Sequence, residues 1–177
     1  MKHFRTLFAA ACAAGATSPA FAQGSTINAA DTAWIIAATA LVLMMTVPGL
    51  ALLYAGLVRK KNLLSTMAQC FAGVMFISVL WFAAGYSLTF SGDGAYIGNL
   101  DKVFLAGMNL DSVNPLASNL PESLFATYQM TFAVITCALI AGSVADRMRF
   151  SAFILFMIGW LFLVYVPSAH WVWGGGF

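Results

Sequence analysis

Trp34–Val58 reads WIIAATALVLMMTVPGLALLYAGLV, carries no charged residue, and runs directly into Arg59-Lys60-Lys61. A helix rises 1.5 Å per residue, so about 20 apolar residues cross the roughly 30 Å of hydrocarbon in a bilayer. This stretch is long enough, and its basic end marks where it leaves the lipid. Three further runs share the pattern, at about Leu63–Phe90, Leu124–Ala145 and Ser151–Trp173. None shows the ten-residue alternation of a membrane barrel strand. The chain is therefore read as an all-α membrane protein, a bundle of four transmembrane helices. Composition agrees: 62% of the 177 residues are hydrophobic, only 8% are charged, and mean hydropathy is +0.88. A soluble domain this small is mostly surface and could not hide so much apolar area. A net charge of +2, with no basic stretch longer than Arg59–Lys61, offers nothing to nucleic acid.

The first 22 residues read as a signal peptide. Lys2 and Arg5 precede a small apolar segment, and Ala20-Phe21-Ala22 supplies the A-x-A pattern at which a signal peptidase cuts. The mature chain, 23–177, is expected to begin outside a bacterial inner membrane. The charges of the connections predict the same orientation. Arg59, Lys60 and Lys61 follow the first span, and Arg147 and Arg149 follow the third. The long connection between the second and third spans has Lys102 as its only cation and carries Asp93, Asp101, Asp111 and Glu122. It belongs outside, and the basic loops belong in the cytoplasm. Cys12 lies in the signal segment, and Cys70 and Cys137 lie in apolar runs, so neither a disulfide framework nor a metal spacing emerges. No catalytic triad, phosphate loop or cofactor motif is present, and no enzyme activity is expected.

Several residues within the spans carry more information. Pro48 has no N–H for the carbonyl of Met44, so the first helix should bend there. Gly49 and Gly56, seven apart, share a face suited to close helix contact. Phe125, Tyr128 and Phe132 fall on one stripe of the third span, with Gln129 and Thr136 on a neighbouring face. Such rings serve equally as interface anchors or as the lining of a cation site. Trp171 and Trp173 close the fourth span, ahead of Gly174–Gly176. His170 is the only histidine after the signal segment, too few for a paired proton relay, and reads most simply as an interfacial helix residue. A haem-binding subunit would need ligand pairs that the spans lack. The residues alone reach as far as a helical membrane protein, with a transporter of a small cation as the sharper alternative.

Five strings decide further. Asp31-Thr32-Ala33-Trp34, TVPGLALLYAGLVRKKN (Thr46–Asn62), YQMTFAVIT (Tyr128–Thr136), DRMRFSA (Asp146–Ala152) and AHWVWGGGF (Ala169–Phe177) resemble the ammonium transporter family in order and spacing. Departures are small: many members have Phe at the place of Tyr128 and Glu at that of Asp146. The resemblance implies an eleven-helix subunit built from two inverted five-helix halves, a homotrimer, and a pore through each subunit. The present chain is then the first four helices. It also implies an ammonium ion recruited at an outer aromatic site formed by Trp173 with Tyr128 nearby, a gate ring at Phe132, no cofactor, and a cytoplasmic PII signal protein as partner. The pore histidine pair and the pore aspartate of the family have no counterpart here. The 177 residues alone are therefore expected not to transport. An ammonium sensor of the same family and a non-transporting remnant are the alternatives.

Overall fold

The computed structural model describes residues 27–177; the expected signal segment and Cys12 lie outside the described residues. Among the described residues there are four helices of membrane length and no strand: α1 Ala29–Leu57, α2 Lys60–Phe90, α3 Glu122–Val144 and α4 Phe150–Trp173. α1 starts ahead of its apolar run because Asn28 caps it. The Asn28 Oδ1 accepts from the amides of Ala30 (2.8 Å) and Asp31 (3.2 Å), and Asp31 adds an acidic first turn.

α2 and α3 form the centre. α2 packs on α1, α3 and α4, while α1 and α4 flank the pair. Half of α3's most apolar window is buried, against 17% for α1, so α3 is shielded by protein and α1 turns most of its surface outward. The buried stripe of α3 runs through Ala126, Met130, Ala133, Cys137 and Ala141. Its alanines let neighbouring backbones approach, the usual basis of helix packing in lipid. The close-contact glycine is neither of those expected from sequence. Gly56 has nothing within 4 Å of a notional Cβ, and Gly49 meets only Met44 of its own helix. Gly142 does the work instead: a Cβ there would lie 2.3 Å from the Tyr54 ring of α1, whose hydroxyl donates to the Leu139 carbonyl at 3.3 Å.

Three helices contain a π turn: Met45–Leu50 in α1, Trp81–Gly85 in α2 and Leu161–Tyr165 in α4. Prolines account for two of them. Pro48 lies inside the first and Pro167 just after the third, and each lacks the N–H that a regular turn would use. The bend expected at Pro48 thus takes the form of a widened turn, with the Thr46 hydroxyl donating to the Val42 carbonyl at 2.8 Å.

The two ends of the bundle differ in chemistry. At the basic end, Arg59 lies 3.9 Å from Asp146, and the Gln69 amide donates to the Met148 carbonyl at 3.1 Å, so the two basic loops meet. At the other end, the connection 91–121 is tied down along its length. The Gly98 amide donates to Leu88 O (2.8 Å), Asn99 N to Ser91 O (2.8 Å), and Asn28 N to Asn119 O (2.9 Å). Under it lies an aromatic core in which Trp81 packs edge-on to Tyr86, Phe90 and Tyr165 with centroids 6.1–6.4 Å apart.

Candidate functional site: an aromatic cleft between the third and fourth helices

Tyr128 and Phe132 sit one turn apart on α3, so their rings stack along one face. Their centroids are 5.0 Å apart and their planes 86° apart, an edge-to-face pair. α4 reaches the same place with its last residue. Tyr128, Gln129, Phe132 and Trp173 together line a cleft of about 240 Å³ at the connection end. The three residues singled out for cation recruitment and gating therefore share one concavity, and Gln129 joins them.

Phe125 does not belong to this group. Its ring turns into the core, 5.1 Å from Phe90 and 6.5 Å from Tyr86, and is 7% exposed. The stripe expected from spacing is thus divided: Phe125 packs the bundle, while Tyr128 and Phe132 face the cleft.

The lining has no carboxylate. It offers three aromatic rings and one amide side chain. Ring faces attract a desolvated cation by about 2 kcal/mol or more. Trp173 is 56% exposed, so one side of the cleft is open in these four helices.

Two further groups at the connection end do not line the cleft. Glu122, at the first position of α3, is 1% exposed. Its Oε1 accepts from Lys102 Nζ of the connection and from the Tyr86 hydroxyl at 2.9 Å, and Asn114 Nδ2 donates to Tyr86 Oη at 3.1 Å. Sequence reading placed Glu122 among the acids of an outer loop. The missed signal is its position directly after Pro121, which marks it as a helix first-turn residue rather than a loop charge. A second cavity, about 340 Å³, lies between this cluster and Gly174, with Asp93, Lys102 and Asn114 among its lining. The other group is His170, expected at an interface but fully buried. Its Nδ1 lies 2.7 Å from the Thr89 carbonyl oxygen, and its Nε2 lies 2.6 Å from that of Gly94.

The family model described as the Ammonium Transporter Family matches residues 33–177. This chain belongs to the ammonium transporter family. It is 50% identical over 151 residues to a putative ammonium transporter of Methanothermobacter thermautotrophicus, covering 85% of this chain and 37% of that protein. It is 47% identical over 146 residues to the ammonium transporter of Bacillus subtilis, covering 82% and 36%. The crystal structure of Candida albicans Mep2 superposes with a TM-score of 0.73 at 36% identity, covering 85% of this chain and 33% of that one. The chain spans a little over a third of the length of the curated ammonium transporters it matches. Its helical, membrane-spanning architecture is that of the family.

Proposed function

We propose that the full-length protein moves ammonium across the membrane, and that the cleft of Tyr128, Gln129, Phe132 and Trp173 receives the cation. The observation that carries this reading is the convergence of these side chains, from two helices, on one concavity at one end of the bundle. The connection end faces outside and the basic end faces the cytoplasm, as the charge distribution requires.

The mechanism follows from solvation. An ammonium ion entering the cleft gives up part of its water, and the Trp173 and Tyr128 faces offset that loss while Gln129 accepts a hydrogen bond. A bare cation at bilayer depth costs several kcal/mol or more. Phe132, packed edge-on against Tyr128, closes the way inward, and passage beyond it would strip the ion's remaining water, which costs the ion far more than neutral ammonia. The proton is released at this point and travels separately or stays behind. Among the described residues the only histidine is His170, and both its nitrogens lie beside carbonyl oxygens away from the cleft. A relay that carried the proton inward would be supplied by the rest of the full-length protein. A homotrimer, and a cytoplasmic signal protein of the PII kind as regulator, complete the proposal by family resemblance.

The test is uptake of labelled methylammonium by cells that express the full-length protein and lack other ammonium uptake. Trp173→Leu removes the larger ring face, so half-saturation should rise about tenfold and discrimination between ammonium and methylammonium should fall. Uptake curves identical to wild type would remove Trp173 from the site.

A further inference from the structure

Trp173 is 56% exposed in these four helices, so the direction of its ring depends on how the end of α4 is held. That end is held mainly by its neighbour one turn earlier. His170 is fully buried and bridges two separate segments, the last turn of α2 through the Thr89 carbonyl and the start of the connection through the Gly94 carbonyl. A neutral imidazole carries one N–H, so it donates to one of these carbonyls, while its other ring edge packs directly beside the second. Thr89 is in the last turn of α2, where carbonyls have no further amide of their own helix to accept from.

Other contacts point the same way. Trp171 Nε1 donates to the Tyr96 carbonyl at 2.8 Å, and Phe177 N donates to that of Ala95 at 3.3 Å. Gly174 approaches so closely that a Cβ would lie 2.1 Å from the Thr89 oxygen. The residues on either side of Trp173 are thus seated against 89–96, and the seat needs both the histidine and the glycine.

We propose that His170 is the positioning residue of the cation cleft: it fixes the Trp173 backbone so that the ring face is presented to the ion, without touching the ion itself. This rests on the reading of Trp173 as the recruiting ring. Attraction between a cation and a ring requires the ion over the face, so a reoriented ring loses affinity before it loses turnover.

The test uses the full-length protein in the same uptake assay, with the amount in the membrane measured for each variant. His170→Phe keeps the ring shape and removes both nitrogens. Its half-saturation constant should rise about tenfold, as for Trp173→Leu, while the maximal rate per transporter stays within about twofold. His170→Gln, whose amide still donates, should restore most of the affinity. His170→Phe combined with Trp173→Leu should be no worse than Trp173→Leu alone. Gly174→Ala disturbs the same seat from its other side and should copy His170→Phe. If Trp173→Leu raises half-saturation and His170→Phe does not, the positioning role is wrong and the cleft stands. If Trp173→Leu has no effect, the cleft reading fails and this inference fails with it. An equal loss from His170→Phe with and without Trp173 would show that the histidine acts independently of the ring. If neither His170→Phe nor Gly174→Ala reaches the membrane while Trp173→Leu does, the seat serves folding alone and the positioning role is overturned.

Discussion

Lys102→Met should destabilise the bundle by stranding a buried carboxylate. Glu122 is only 1% exposed and is the acceptor for both Lys102 and Tyr86, while the Lys102 side chain is 29% exposed. Removing one partner of a buried pair leaves an uncompensated charge, which typically costs about 3–5 kcal/mol. Water reaches Lys102, so the pair is already partly screened and the expected loss is smaller, about 2–3 kcal/mol. Glu122→Gln keeps an oxygen for Tyr86 and Lys102 and removes the charge, so about 1 kcal/mol is expected. The double variant has no charge left to strand and should recover most of the Lys102→Met loss. Cys70 and Cys137 are 2% and 0% exposed, so a thiol-reactive dye reports unfolding directly on protein in detergent (with Cys12 replaced). At about 2–4 °C per kcal/mol for a chain of this size, Lys102→Met should lower the midpoint by roughly 4–12 °C. A drop under about 1 °C, or a double variant as unstable as Lys102→Met, would refute the claim that this pair pins the connection to α3.

Two other expectations follow from the packing. Gly142→Ala drives a methyl into the Tyr54 ring at 2.3 Å and should cost about 1–3 kcal/mol, read by the same dye; combining it with Tyr54→Leu should relieve most of the loss, and no relief would place the strain elsewhere. Residues 1–177 by themselves, reconstituted in liposomes, should pass no ammonium-dependent current, because one side of the cleft is open and Trp173 is 56% exposed; a current above protein-free liposomes would overturn that.

The four helices were legible in the sequence because crossing a bilayer is a local demand: a run of about 20 apolar residues is both necessary and visible. The pairing of Tyr128 with Phe132 was legible for a similar reason, since residues four apart on a helix share a face. Which face of each helix meets protein was not legible. Lipid tails are as apolar as leucine, so residues facing lipid and residues facing helices look alike in sequence. That is why Phe125 was grouped with the cleft rings although it packs the core, and why Gly49 and Gly56 drew attention that belonged to Gly142. Periodicity also fails across a π turn, which inserts extra backbone and rotates everything after it. The turn at Leu161–Tyr165 sets the direction in which His170 and Trp173 leave α4. The motif strings of the sequence identified the family and singled out Trp173 as a candidate. Only the tertiary structure brought Trp173 to Tyr128 and Phe132, buried Glu122 beside Lys102, and seated His170 between two carbonyls. Each of those contacts joins residues far apart in the chain, where no spacing rule applies and packing decides.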